Sequence, residues 1–439
     1  MSRPAARWPL AALRAAGYAL CCAVAIGALA GCANKVSERA SRPQQPRVAL
    51  PATPGPVVTP GAPPRVALLL PLSGSYAALG TAMNRAAEMA LFDIAGKEFT
   101  LMPLDTGGTP EGAQRAAAKA IADGAQLILG PLFATEVTAI RDQARAARVN
   151  VVAFSTDASV AGDGVFLMGF LPRQQVERVV NYAMSQGIKR FAVLAPETPY
   201  GQAVAADLQQ IASAGGAQVT RSAFYGGGEQ EITKTIKDFA DYDRRHAAAL
   251  ALRAPYEGKS DAESRRQLNR LKRIDTVGDV NYDAVLIPEG GLRLILVGSM
   301  LPFYDVDPDK VRFLGTGQWD DPTVWREPTL RGSWFAAAPP TARTKFLGRY
   351  RELYNETPPR IATLAYDAVA LAAVLARSQG GADFTNAALT TTNGFVGLDG
   401  IFRFRGDGLI ERGLAVLEVE PREPKVISAS PDSFELATQ

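Results

Sequence analysis

The chain has 439 residues, with 47 lysines and arginines against 44 aspartates and glutamates, a single histidine and three cysteines. That histidine, His246, lies in a charged segment beside two arginines, which argues against Ser–His–Asp and Cys–His catalysis, and histidine-based zinc sites need more than one. Residues 1–31 hold three arginines and no acid, so the rest of the chain is charge-balanced and offers no nucleic-acid surface.

Arg3, Arg7 and Arg14 form a positive region ahead of residues 15–30, which are almost wholly apolar and small. About 16 apolar residues fall short of the roughly 20 that a membrane-spanning helix needs, so the segment reads as a secretory signal. Leu29-Ala30-Gly31-Cys32 ends it and resembles a bacterial lipobox. That resemblance implies cleavage before Cys32, lipidation of its thiol and a membrane-anchored mature chain. The alternative is an ordinary signal peptide with an incidental cysteine. Cys21 and Cys22 lie in the removed segment, so the lipidated chain has neither a free thiol nor a disulfide. Ala33, not aspartate, follows Cys32, and the usual sorting rule then implies the outer membrane. Residues 32–63, from the lipidated cysteine through a linker carrying Pro43, Pro46, Pro51, Pro54, Pro56, Pro60 and Pro63, could extend on the order of 100 Å as polyproline II.

From Arg65 strands and helices alternate. Val66–Leu70 is a continuous apolar run suited to a strand buried on both faces. Helix 79–94, strand 99–104, helix 110–122, strand 127–129, helix 135–147 and strand 149–154 follow. Past Pro172 the rhythm restarts with helix to 186, strand 191–195, helix 202–214 and strand 218–223. Such alternation predicts an α/β protein of helix-flanked, largely parallel sheets, and its length favours two lobes. Residues 239–275 are crowded with charge, from Asp243 to Arg273, and read as one or two exposed amphipathic helices: a solvated face, or a partner-docking surface. Strand 284–288 comes next, and helices 343–354 and 361–377 lie further along the chain.

Motifs for chemistry are wanting. Gly258-Lys259-Ser260 imitates the end of a phosphate loop, but Arg253 occupies the leading-glycine position. Gly315-Thr316-Gly317 runs on to Asp320 and fails the dinucleotide fingerprint. No enzyme activity, cofactor or metal is expected. Ligands of open parallel sheets sit beyond the carboxyl ends of the strands, and the loops predicted there are small and polar. They supply Ser73, Gly74 and Ser75; Thr135 as a helix cap; Ser155, Thr156 and Asp157; Tyr200; Glu289; and Gln318 with Trp319.

Ala67-Leu68-Leu69-Leu70-Pro71-Leu72-Ser73-Gly74, Leu129-Gly130-Pro131, Phe154-Ser155-Thr156 and Tyr200-Gly201 resemble, in order, the landmarks of type I periplasmic binding proteins of the branched-chain amino-acid class. Leu301-Pro302-Phe303-Tyr304, Gly315 through Asp321, Leu364 through Ala368 and Gly400 through Phe404 resemble the LppC/LpoA-like penicillin-binding protein activators, although the best-known members carry an N-terminal helical-repeat domain. The first resemblance implies two lobes over residues 64–430, with a tail at 431–439. Lobe one would be 64–170 and 341–392, and lobe two 171–338 and 393–430, joined by crossings near 171–173, 339–341 and 392–397. Strands 395–404 and 409–419 would close lobe two. Amino-acid binders of this class hold the ligand carboxylate from lobe one, where Ser73, Thr135, Ser155 and Thr156 stand. An acid and an aromatic of lobe two hold the ammonium. Tyr200 matches the aromatic, Gln318 stands where the acid belongs, and Asp157, Glu289 or Asp320 could substitute. An amino-acid site, a peptidoglycan-fragment site and a cleft without a small ligand all remain open. The second resemblance implies a non-catalytic lipoprotein facing the periplasm, anchored through Cys32, whose partner is a peptidoglycan synthase. The alternative is a lipid-anchored solute receptor of an ABC importer.

Overall fold

The computed structural model describes residues 63–95 and 99–434. Cys32, the signal segment, nearly all of the linker and residues 435–439 lie outside the described residues. Five parallel strands form the first sheet: β1 (Arg65–Leu70), β2 (Thr100–Asp105), β3 (Ala125–Leu129), β4 (Asn150–Ala153) and β5 (Val165–Leu167), in the order β2-β1-β3-β4-β5. Five consecutive residues of β1 are buried, as a strand covered on both faces requires. The covering helices are α1 (Ala77–Ala90), α2 (Pro110–Ala122) and α3 (Ala134–Ala147). Thr109 caps α2 by accepting from the Gly112 N–H at 3.1 Å, and Pro110 fits the first turn, where no N–H is needed. Gly80 lets α1 approach the first loop: a Cβ there would sit 2.1 Å from the Pro71 carbonyl oxygen.

The second sheet is built from β6 (Arg190–Pro196), β7 (Gln218–Tyr225), β8 (Ala284–Leu286), β9 (Arg312–Gly315) and β10 (Trp334–Ala337), all parallel, extended by antiparallel β14 (Ala415–Glu418) and β15 (Lys425–Ser428). Its helices are α4 (Pro172–Ser185), α5 (Pro199–Ala214), α6 (Glu229–Phe239), α9 (Gly291–Phe303) and the short α10 (Pro322–Trp325). The charged segment forms two helices, α7 (Tyr242–Arg253) and α8 (Ala262–Leu271). After β10 the chain returns to the first lobe. There α11 (Pro340–Tyr354) packs Phe346 and Tyr350 on Ala86 and Met89 of α1, and α12 (Ala362–Ala376) buries Leu364, Ala365, Ala368 and Val369 in the first core.

The last quarter departs from the sequence reading. Strands β11 (Phe395–Gly397), β12 (Gly400–Phe404) and β13 (Ile410–Arg412) form a separate antiparallel ribbon. They belong to the first core rather than to lobe two. Phe402, Phe404 and Ile410 pack there, with the Phe404 ring 5.5 Å from Phe166, and the Leu167 N–H donates to the Gly408 carbonyl. The alternation Phe402-Arg403-Phe404-Arg405 gives the ribbon one apolar face, and the first lobe supplies the wall that buries it. The predicted strand 409–419 is divided at Gly413, where the chain passes to the second sheet as β14. No helix among the described residues is long and apolar enough to cross a membrane.

Candidate functional site

The lobe-one loops are organised by their own acids. Asp105 accepts from the N–H groups of Leu72 (2.8 Å), Ser73 (3.1 Å) and Gly107 (2.8 Å). Burial pushes its carboxyl up, but these bonds and one from the Ser73 hydroxyl outweigh burial and hold it below the usual range. Ser73, Gly74 and Ser75 are exposed, with Gly74 in the left-handed region at φ 77°. Thr135 is exposed inside the first turn of α3. Phe133 is the capping residue instead, and the Glu136 carboxylate accepts its N–H at 3.0 Å. The buried Ser155 hydroxyl accepts from the Asp157 N–H (3.1 Å), and exposed Asp157 accepts from Ser159 (2.9 Å), which fixes the turn carrying Thr156.

On the second lobe the Tyr200 hydroxyl shares a hydrogen bond with Thr316 Oγ1 at 3.1 Å, and burial pushes its phenol up. Glu289 accepts from the Tyr225 hydroxyl at 3.1 Å and meets Arg293 at 3.4 Å. Gln318 is exposed beside Gly290. Trp319, expected in the cleft, is fully buried in the second core. Its indole N–H donates to the Ile287 carbonyl at 3.1 Å, over the space that Gly315 leaves by lacking a Cβ. An apolar ring of that size is stabilised by burial once its single donor is satisfied.

Between the lobes lies a cavity of about 1140 Å³. Of the expected residues it brings together Thr156, Asp157 and Tyr200. Ser73, Gly74, Ser75, Thr135, Ser155, Glu289, Gln318 and Trp319 are not among its lining residues. The other walls were missed by sequence reasoning: Arg173, Glu177 and Asp207 from α4 and α5, and Thr392, Arg403, Arg405 and Glu411 on or beside the ribbon. For Arg403 the polar alternation of β12 was the available signal, but the ribbon was expected in the second lobe. Most of these charges are matched within the protein. Arg173 bonds Asp207 at 2.8 Å and Arg403 bonds Glu411 at 2.8 Å across the ribbon.

Apart from the cavity lining, a buried charge cluster joins the lobes. Asp320, which follows Trp319 on lobe two, takes both Arg343 guanidinium N–H₂ groups at 2.5 and 2.8 Å, and Arg360 at 3.3 Å. Arg343 lies on α11 and Arg360 just before α12, so both partners belong to lobe one. Arg360 continues to Asp399 at 2.7 Å and stacks 4.5 Å from the Phe170 ring. Asp399 also accepts from Thr363 at 2.6 Å. Arg412 donates to the Met168 carbonyl at 2.7 Å and lies over Phe170 and Phe402. Burial raises the Asp399 carboxyl, but Arg360 and Arg412 outweigh it and keep it low. Burial, with the Asp399 charge adding to it, pushes Asp367 up to about 7. A second tie is neutral: Gln175 accepts from the Gly317 N–H at 2.6 Å and donates to the Phe170 carbonyl at 3.2 Å.

The chain's one histidine, His246, sits on α7 against Asp275, and it does not line the cavity. Among the described residues no group of His, Cys, Asp or Glu is placed to hold a metal ion.

Residues 63–243 match the family model of periplasmic binding proteins. An uncharacterized protein of Rickettsia prowazekii, RP748, is 26% identical over 176 residues, which is 40% of this chain and 47% of that protein. The penicillin-binding protein activator LpoA of Photobacterium profundum is 30% identical over 143 residues, 31% of this chain and 22% of that protein. The matched region thus spans less than half the length of either relative. Among solved structures, a branched-chain amino acid ABC transporter protein from Rhodospirillum rubrum superposes with a TM-score of 0.66 at 17% identity, covering 83% of this chain and all of that one. The chain thus has the fold of the type I periplasmic binding proteins, and part of it is similar to the LpoA activators.

Proposed function

We propose that the protein is a non-catalytic, lipid-anchored regulator of the cell envelope that acts on a peptidoglycan synthase from the outer membrane through Cys32. The observation that carries this reading is the commitment of the acids beside Gln318 at the strand-end loops of lobe two, Glu289 and Asp320. An amino-acid receptor needs a free carboxylate in lobe two for the ligand ammonium. Gln318 is neutral, Glu289 is engaged by Tyr225 and Arg293, and Asp320 is engaged by Arg343 and Arg360. Similarity to the LpoA activators supports the same reading. The test is reconstitution: the purified protein is added to a class A penicillin-binding synthase with lipid-linked precursor, and glycan polymerisation is followed. A rise in rate is expected. No change in rate, together with co-purification of an importer permease, would overturn the proposal.

The solute-receptor reading is favoured by the cavity between the lobes, which at about 1140 Å³ is somewhat larger than the usual small-molecule site of roughly 300–1,000 Å³ and so has room for such a ligand. Its signature is a ligand-dependent rise in melting temperature, since a ligand at 100 times its Kd stabilises by about 2.7 kcal/mol. A panel of amino acids that leaves the transition unmoved counts against it.

A further inference from the structure

A second cavity, of about 440 Å³, lies in lobe one between the end of α1 and α11. It shares no lining residue with the cavity between the lobes. Its floor belongs to the small apolar core that α11 makes with α1: Met89 and Phe346 are buried, and Tyr366 and Leu398 half-buried. At about 100° per residue Thr341, Lys345 and Arg349 fall within about 80° of one another on α11, and Ala342 and Phe346 form the row beside them. One wall of the cavity is therefore a polar row carrying two cations, set against an apolar row. Arg343, which holds Asp320, lies about 160° round the helix from Lys345, so the interlobe cluster uses the opposite side of α11. The charges lining the cavity do not cancel. Asp93, in the turn Leu91–Ala95 after α1, takes the Arg349 guanidinium and accepts from the Tyr366 hydroxyl at 3.1 Å. Burial, with the Asp93 charge adding to it, pushes the Tyr366 phenol up to about 12, so it stays a donor to that carboxylate. Asp93 is the only acid in the lining and is engaged. Lys345 is exposed, and among the described residues its ammonium has neither an ion pair nor a hydrogen bond.

We propose that this cavity binds a small carboxylic acid with an apolar body, its carboxylate on Lys345 and its body on Met89, Phe346 and Leu398. The apolar floor favours a ligand that removes its own apolar surface from water. The free ammonium selects the charge: an anion gains a charge-assisted hydrogen bond, a neutral analogue gains less, and an amine is repelled. Only one guanidinium nitrogen of Arg349 is engaged by Asp93, and the remaining N–H groups supply further donors for the same carboxylate. The volume lies within the roughly 300–1,000 Å³ of small-molecule sites. The proposal rests on neither reading of the cavity between the lobes, because the two cavities have separate walls.

Isothermal titration calorimetry of the purified full-length chain with phenylacetate, phenylethanol and phenethylamine reads the charge preference. Saturable binding of phenylacetate is expected, with the alcohol and the amine weaker by on the order of 10-fold or more. Lys345→Glu is expected to weaken phenylacetate by a similar factor, with circular dichroism and melting temperature unchanged because the residue is exposed. Ala342→Trp, which fills the cavity from an exposed position, is expected to abolish binding. Ala203→Trp, which obstructs the cavity between the lobes instead, is expected to bind phenylacetate like the parent. No saturable binding of phenylacetate, a preference for the alcohol or the amine, or full binding by Lys345→Glu would overturn the proposal. So would loss of binding in Ala203→Trp with Ala342→Trp unaffected, because the acid would then occupy the cavity between the lobes. None of these outcomes bears on synthase activation, which is read separately.

Discussion

Replacing Asp320 with asparagine tests whether the buried charge cluster holds the lobes together. The Asp320 side chain is 4% exposed and that of Arg343 is 10%, so solvent screens this pair little. Asparagine keeps the shape but removes the charge that the Arg343 guanidinium faces in its bidentate contact. Arg360 keeps Asp399 and Thr363, so the main loss falls on Arg343. Removing one partner of a buried ion pair costs about 3–5 kcal/mol, and asparagine should lie at the lower end because one hydrogen bond survives. Urea unfolding, followed by tryptophan fluorescence and far-ultraviolet circular dichroism, measures the change. A loss of about 3 kcal/mol with coincident transitions is expected. The double variant Asp320→Leu/Arg343→Met should recover much of it, because apolar replacement of a whole buried pair is often neutral or stabilising. Asp320→Asn within about 0.5 kcal/mol of the parent, the ordinary range for surface changes, would refute the reasoning.

Asp367 gives a pH signature. Folded, its carboxyl is pushed up to about 7 by burial first and the Asp399 charge second, against an ordinary value of 3.8. Between those values the folded state holds a proton that the unfolded chain has released. Its contribution to stability is therefore full at low pH and declines until about pH 7. Asp367→Asn should remove that decline while keeping an acceptor for the Leu398 N–H, and urea midpoints from pH 5 to 7 that fall as in the parent would exclude it. Trp319→Ala should cost about 3–5 kcal/mol through the cavity it leaves, whereas a ligand-facing tryptophan would cost far less, as unfolding midpoints will show. Gly80→Ala should destabilise by more than about 1 kcal/mol because its Cβ meets backbone rather than a movable side chain, and an unchanged melting temperature would contradict that contact.

Much of the fold was legible because its signals are local. The apolar run at β1 and the helix opening at Pro110 are readable within a few residues, and the structure places both elements there. The helical character of the charged segment was also visible, but whether it held one or two helices was not, and the structure shows two. The site was less legible. Thr156, Asp157 and Tyr200 reach the cavity because they sit at strand ends, which topology alone determines. The ribbon residues Arg403 and Glu411 were missed because alternation identifies a strand but not the core that its apolar face will join.

By itself the sequence determined the alternation of strands and helices and the parallel two-lobed plan, both of which follow from residue type and spacing. Only the tertiary structure decided that Phe402 and Phe404 close the first lobe, that Trp319 is core, and that Asp320 serves the fold instead of a ligand. Those outcomes rest on contacts between residues far apart in the chain: 23 positions for Asp320 with Arg343, 40 with Arg360 and 244 for Arg412 with the Met168 carbonyl. A carboxylate reads the same in sequence whether it meets a ligand or a buried arginine. Burial, which makes an unpaired charge costly, selects its partner only once both lobes are in place.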